Sequence, residues 1–134
     1  MRSRQLLSDE RPVIERRYEY EGTLVRVIDG DTIQVDLTQD IGLSIRVTVR
    51  WELRLNGCNA PERATAAGPA ATHFVETWWA THRAPFVVRT YKDKREKYGR
   101  YLADVRDADG HDLVTDLIAA GHAVPWDGLG VRPV

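Results

Sequence analysis

The chain has 134 residues, of which 43% are hydrophobic and 29% are charged, with a formal net charge of −1. This length suits one domain with one core, and the composition is that of an ordinary globular protein. The near-neutral charge argues against a protein that coats nucleic acid by bulk electrostatics, but it leaves room for a local phosphate site. A single cysteine, Cys58, excludes an internal disulfide and a cysteine-rich zinc site.

The N-terminal region differs in composition from the rest of the chain. Residues 1–17 are polar and charged without clear periodicity, which predicts a flexible arm ahead of a domain at residues 18–134. The N-terminus lacks the apolar segment of a signal peptide, and no apolar run reaches the length of a membrane span. These features predict a cytoplasmic protein that does not contact a membrane.

Apolar and polar residues alternate along the first half of the chain. Residues 23–28 and 32–37 flank Asp29–Gly30, a pair typical of a hairpin turn in which the glycine supplies a positive φ. A second turn is predicted at residues 38–42, followed by a long strand at residues 43–55. A strand this long commonly coils and pairs with two neighbours, as in a small closed barrel.

The second half begins with an amphipathic helix that starts at Gly68–Pro69 and ends before Pro85, with two tryptophans on its buried face. Strands are predicted at residues 85–91 and 100–105, with a charged loop between them. A short helix capped by Asp112 follows, and the tail from residue 122 is expected to be irregular. The order of three strands, helix, two strands and helix predicts an α+β fold: a five-stranded Greek-key barrel of the oligonucleotide/oligosaccharide-binding type with two packed helices.

Charged side chains of opposite sign are segregated along the chain. Acidic residues lie at the first turn, Arg54 and Glu62 lie near the end of the third strand, and Lys97 and Arg100 flank a glycine. Carboxylates for a hard cation, together with arginines for a phosphate, are what a metal-assisted phosphodiesterase requires. Each residue also has a plain structural interpretation, as a solvated turn carboxylate, a strand-edge arginine or a loop lysine.

Four motifs in series are more specific than any one of them. They are Val-Ile-Asp-Gly-Asp-Thr at 27–32, Leu-Arg-Leu-Asn-Gly-Cys-Asn-Ala-Pro-Glu at 53–62, Lys-Tyr-Gly-Arg-Tyr-Leu-Ala-Asp-Val at 97–105 and Asp-Leu-Ile-Ala-Ala-Gly-His-Ala at 116–123. With these motifs in this order, the chain resembles a staphylococcal-nuclease-like (thermonuclease) domain over roughly residues 22 to 126. The resemblance implies calcium-dependent hydrolysis of DNA or RNA phosphodiesters.

The resemblance also implies roles for individual residues. Arg54 and Arg100 would hold the scissile phosphate and stabilise charge in the transition state, and Glu62 would orient or deprotonate the attacking water. Lys97 and Tyr98 would lie along a terminal phosphate or nucleotide of the substrate. These roles agree with the chemistry, because guanidinium is a planar bidentate donor to phosphate and a carboxylate can act as a general base.

The implied calcium ligands contain one departure from the family's pattern. Asp31 and the main-chain carbonyl of Ala60 would be ligands, and Asn59 stands at a second side-chain position that is usually aspartate in the family. An amide oxygen coordinates calcium but contributes no charge, which predicts weak calcium affinity.

The substitution at Asn59 keeps an alternative function open: a catalytically silent module that binds nucleic acid or protein. A nucleic-acid substrate and a monomeric state are the expectations for an active enzyme. The four histidines show no metal-type spacing with one another, and Cys58 is interpreted as a small buried hydrophobe. Trp126 is interpreted either as part of the substrate pocket or as core packing.

Overall fold

The computed structural model describes residues 18–92 and 101–127. They form a closed five-stranded barrel with two helices, which confirms the predicted α+β architecture. The barrel strands are β1 (Glu19–Asp29), β2 (Thr32–Gly42), β3 (Ile45–Leu55), β5 (Phe86–Lys92) and β6 (Tyr101–Arg106). The remaining elements are β4 (Cys58–Asn59), α1 (Gly68–Thr81), α2 (Leu113–Ala119) and β7 (Val124–Pro125). The predicted arm and most of the predicted charged loop lie outside the described residues.

The barrel closes in the order β1-β2-β3-β6-β5, because β1 pairs with both β2 and β5. All contacts between neighbouring strands are antiparallel except one: β3 and β6 run parallel at Leu53–Leu55. As its length predicted, β3 therefore serves two neighbours. The single parallel contact brings the end of β3 beside the start of β6, so that described parts of the second and third motifs lie side by side.

The core lies inside the barrel and beneath the two helices. Ile33, Val35, Val88, Val105 and Leu117 are fully buried in it, and each such side chain stabilises the fold by about 1.5–3 kcal/mol. Both tryptophans of α1 are buried, which confirms that they belong to the core. On α2 the side chain of Asp112 accepts a hydrogen bond from the amide of Thr115, as the predicted N-cap requires. Among the described residues, no helix is long and apolar enough to cross a lipid bilayer.

The second predicted turn was placed too early. β2 continues through residues 38–42, and the chain reverses at Leu43–Ser44, where both residues have positive φ angles of 57° and 61°. Because this hairpin extends beyond the barrel, both of its faces are exposed, including the apolar side chains of Val47 and Trp51. Alternation continues unbroken through such a hairpin, so the pattern alone could not locate its turn.

The C-terminal segment is more regular than its composition suggested. The prediction of an irregular tail was wrong for Val124–Pro125, which form β7 and pair with β4. The amide of Trp126 then donates to the carbonyl of Gly57 at 3.0 Å. This short sheet holds the tail against the segment that follows β3.

Candidate active site

The site is built where the β1–β2 turn meets the segment after β3. Asp31 is 2% exposed and follows the turn, Arg54 pairs with Thr32 across β2 and β3, and the amide of Leu55 donates to the carbonyl of Asp31 at 2.7 Å. The barrel therefore brings together a buried carboxylate and an arginine that are 23 residues apart in the sequence.

Two aspartates of the turn hold the loop that carries Glu62. Oδ2 of Asp31 accepts a hydrogen bond from the amide of Ala60 at 3.0 Å, and Oδ1 of Asp29 accepts one from the amide of Arg63 at 2.7 Å. Hydrogen bonds to a carboxylate are stronger than neutral ones. Glu62 lies between these two anchored amides, so its backbone position is fixed relative to the turn.

Both carboxylate oxygens of Asp31 accept hydrogen bonds from neighbouring groups. Its Oδ1 accepts a hydrogen bond from the hydroxyl of Thr32 at 3.1 Å, and its Oδ2 accepts the bond from Ala60. These bonds orient a carboxylate that is 2% exposed. Asn59 is 3% exposed and Ala60 is 1% exposed, and both directly precede the Glu62 segment. The oxygen groups of the implied metal site therefore come from adjoining, buried parts of the chain.

Among residues 18–92 and 101–127, the guanidinium of Arg54 has one buried donor without an acceptor. Its Nη2 atom is inaccessible to solvent and makes no hydrogen bond within the described residues. The guanidinium lies 4.9 Å from the centre of the Trp126 ring, which covers it. Such an unsatisfied donor costs about 1–3 kcal/mol, and in a native site it calls for a physical explanation.

Cys58 lies next to these charges and is not a nucleophile. Burial raises the pKa of its thiol to about 12, with a smaller contribution from the negative charge of Asp31 that the positive charge of Arg54 opposes. The thiol is therefore protonated near neutral pH and inert.

The turn glycine has a different role from the one predicted. Gly30 does not adopt a positive φ, so that prediction was wrong. A Cβ atom at this position would lie 2.8 Å from the Cβ of Ala71 and 2.9 Å from the Cβ of Ala60. Gly30 is therefore required for close packing between the turn, the segment after β3 that contains Ala60, and α1.

Three of the predicted site residues, Lys97, Tyr98 and Arg100, lie outside the described residues. The other five, Asp31, Arg54, Asn59, Ala60 and Glu62, occur on the two segments that the barrel joins.

Known proteins resemble this chain over most of its length. Two proteins described as uncharacterized endonucleases, one from Escherichia coli and one from Escherichia coli O157:H7, are each 32% identical over 116 residues, which cover 87% of this chain and 67% of theirs. The chain belongs to the family of these endonucleases. An uncharacterized protein of Methanocaldococcus jannaschii is 24% identical over an alignment of 135 residues, covering 82% of this chain and 61% of that protein. No protein-family model matches the chain.

Two positioning residues of this endonuclease-family chain were missed in the sequence. Asp29 was interpreted as a solvated turn residue, whereas its carboxylate anchors the Glu62 loop. Gly68 was interpreted only as part of a helix start, whereas it lies against the backbone of Glu62. The position of Asp29 beside the turn glycine could have suggested a structural role for its carboxylate. No sequence pattern, however, marks Gly68 as a glycine that packs against the carbonyl of Glu62.

Replacing Gly68 with alanine should destabilise the endonuclease-family fold, although alanine usually favours a helix. The added Cβ would lie 1.9 Å from the carbonyl oxygen of Glu62, so the loop or the helix must move. We expect the free energy of unfolding to fall by about 1–3 kcal/mol, as in other overpacked sites. Urea denaturation measures this change.

The matched control for Gly68→Ala is Ala70→Ser, which adds one heavy atom on the exposed side of the same helical turn. Its unfolding free energy should stay within about 0.5 kcal/mol of the wild type. A Gly68→Ala variant as stable as the wild type would contradict the proposed contact.

Proposed function

We propose that the protein is a calcium-dependent nuclease of the staphylococcal-nuclease type that hydrolyses phosphodiester bonds in DNA or RNA. The observation that carries this proposal is the buried Nη2 of Arg54, which makes no hydrogen bond within the described residues. A phosphate oxygen is an acceptor that guanidinium binds well. Membership of a family that includes proteins described as endonucleases supports a nucleic-acid substrate.

The residues present fit a calcium ion. The carboxylate of Asp31, the amide of Asn59 and the carbonyl of Ala60 offer oxygen donors, which calcium prefers, and the amide of Ala60 donates to Oδ2 of Asp31 at 3.0 Å. When bound, calcium supplies positive charge that polarises water and offsets the charge of the phosphate. In this proposal Asp31, Asn59 and Ala60 are the ligands.

The other residues of the proposal bind the substrate and move a proton. Arg54 and Arg100 donate hydrogen bonds to the non-bridging oxygens of the scissile phosphate, where negative charge grows in the transition state. Glu62 accepts the proton of the attacking water. Lys97 and Tyr98 contact a neighbouring phosphate or nucleotide. The expected oligomeric state remains a monomer.

Cleavage of a fluorescent single-stranded DNA by the wild-type protein tests the proposal most directly. We expect cleavage that rises with calcium into the millimolar range, because the site lacks one carboxylate charge and should bind calcium weakly. Excess EGTA, which removes the calcium, should stop the cleavage. Single-stranded RNA should be assayed in parallel. A folded protein that cleaves neither substrate at any calcium concentration would overturn the proposal and favour a silent binding module.

The Asn59→Asp variant should bind calcium more tightly than the wild type. A second carboxylate at this position, which is 3% exposed, adds a full charge beside Ala60, whose amide donates to Asp31. We expect the calcium concentration for half-maximal binding to fall by about tenfold. Isothermal titration calorimetry measures the affinity. Without bound calcium, the introduced carboxylate and that of Asp31 should repel each other, which lowers the thermal stability of the calcium-free variant.

A control for Asn59→Asp is Thr77→Glu, which adds a negative charge on the exposed side of α1. Its calcium affinity should match that of the wild type. If Asn59→Asp binds calcium no more tightly than this control, Asn59 is not a ligand.

A further inference from the structure

A cluster of two histidines and an aspartate lies at the end of α1, far from the candidate nuclease site. His82 directly follows α1, and Asp107 and His111 lie in the connection between β6 and α2. Their ligand atoms all lie within 4.8 Å of one another. Gly68, which contacts the Glu62 loop, is the first of the 14 residues of α1, and His82 directly follows the last. A helix of that length spans about 21 Å.

The hydrogen bond of His82 identifies which ring nitrogen is available. Nδ1 of His82 lies 2.7 Å from the carbonyl oxygen of Trp78. Because a carbonyl only accepts, Nδ1 carries the hydrogen and the neutral ring presents a lone pair at Nε2. Metal-binding histidines are commonly oriented in this way, with the other ring nitrogen donating to a backbone carbonyl.

The free nitrogen of His82 faces negative charge. Nε2 lies 4.0 Å from Oδ2 of Asp107 and 3.9 Å from Oδ2 of Asp116. A lone pair that faces two carboxylates is electrostatically unfavourable unless a positive charge lies between them. A proton on Nε2 would be too far from either oxygen for a normal hydrogen bond. A metal ion between Nε2 of His82 and Oδ2 of Asp107 would supply that positive charge directly, while Oδ2 of Asp116 already accepts a hydrogen bond from Nε1 of Trp78 at 2.8 Å.

The carboxylate of Asp107 is oriented toward the histidines. Its Oδ1 accepts hydrogen bonds from the amides of Asp109 and His111 at 2.9 and 2.8 Å, and its Oδ2 lies 2.8 Å from Nδ1 of His111. The side chain of Asp107 is 1% exposed, whereas that of His111 is 58% exposed. The cluster therefore combines a rigid, buried carboxylate with a histidine through which an ion can enter from solvent.

We propose that His82 Nε2, His111 Nδ1 and Asp107 Oδ2 bind a zinc ion, with solvent as the fourth ligand. Nitrogen and carboxylate oxygen are ordinary zinc donors, and tetrahedral ligands at about 2.1 Å from the metal lie about 3.4 Å apart. The 4.0 Å separation between His82 and Asp107 must therefore shorten by about 0.6 Å, and the 2.8 Å separation between Asp107 and His111 must lengthen by about as much. His111 gives up its Nδ1 proton when it binds the metal.

Charge balance favours a divalent ion at this site. With both histidines neutral, the two carboxylates of Asp107 and Asp116 face the imidazoles, while the neighbouring carboxylate of Asp109 is paired with Arg83. A divalent cation would offset these two carboxylate charges; without it, Oδ2 of Asp107 lies in hydrogen-bond contact with Nδ1 of His111, and Oδ2 of Asp116 accepts a hydrogen bond from Nε1 of Trp78. The ion would join the end of α1 to the start of α2 and so stabilise the packing of both helices on the barrel.

Zinc binding to the full chain tests this proposal. With any affinity tag removed, zinc chloride is titrated against the protein in the presence of a chromogenic chelator, and the melting temperature is measured with and without zinc. We expect one zinc ion per chain and a higher melting temperature with zinc. His82→Gln and His111→Gln should each reduce the affinity by at least about tenfold. Cobalt in place of zinc should give the visible absorption bands of tetrahedral coordination.

The matched control is His73→Gln, because His73 is an exposed histidine on the same helix. Circular dichroism establishes that each variant is folded. Absence of zinc binding by the wild type, unchanged affinity in both cluster variants, or equal loss in His73→Gln would each overturn the proposal. An Asp31→Asn variant should retain zinc binding, which separates this site from the proposed calcium site.

Discussion

The Glu62→Gln variant should cleave DNA about 10² to 10⁴ times more slowly than the wild type, as expected when a general base is removed. The amide is nearly the same size as the carboxylate, so the loop anchored by Asp29 and Asp31 should remain in place. Calcium affinity should change little, because Glu62 is not one of the proposed ligands. Single-turnover cleavage of a labelled oligonucleotide at saturating calcium measures the loss in the rate constant.

The control for Glu62→Gln is Glu76→Gln, which makes the same chemical change on the exposed face of α1. It should retain the wild-type rate. A Glu62→Gln variant that cleaves as fast as this control would exclude Glu62 as the base, without arguing against a nuclease that uses another group.

The Arg54→Lys variant should lose about 10²- to 10³-fold in rate, the range measured when one donor to a developing oxyanion is removed. Lysine keeps the charge but lacks the planar fork that binds two phosphate oxygens. The melting temperature should stay unchanged or rise, because the variant removes the Nη2 donor that finds no acceptor in the described part of the protein. A loss of activity without a loss of stability distinguishes a phosphate-binding role from a structural one.

Arg46→Lys is the matched control for Arg54→Lys. Arg46 lies on the same strand, in the exposed hairpin, where it pairs with Glu21. An exposed ion pair of this kind contributes little to stability, so neither rate nor melting temperature should change appreciably. If Arg54→Lys unfolds at a lower temperature than this control, Arg54 serves the fold more than the substrate.

The barrel was predictable from the sequence because its signals are local and repeated. Strand alternation, the Asp112 cap and the helix from Gly68 each reflect short-range physical preferences, and all three are found in the structure. The turn at Leu43–Ser44 was not predictable, because neither residue favours a positive φ. The strand at Val124–Pro125 was also missed, since two residues carry no periodicity.

The candidate nuclease site and the histidine cluster also differ in how far the sequence predicted them. The resemblance indicated Arg54 and Glu62 directly, and the fold places both beside the first turn. The cluster of His82, Asp107 and His111 could not be recognised in the sequence, where the two histidines lie in separate connections with β5 and β6 between them. Proximity that arises only from tertiary packing leaves no spacing pattern to find.

The Asp–Gly–Asp turn has a consequence for how active members of this endonuclease family are recognised. Asp29 and Asp31 each hold an amide of the following loop, and Gly30 packs against two alanines, so all three residues serve folding whether or not the protein cleaves anything. A descendant that lost catalysis would still be under selection to keep them. Arg54 is the more informative marker of an active protein. Its buried Nη2 atom makes no hydrogen bond within the described residues and so lowers the stability of the fold. We expect Arg54 to be replaced in a descendant that no longer binds a substrate.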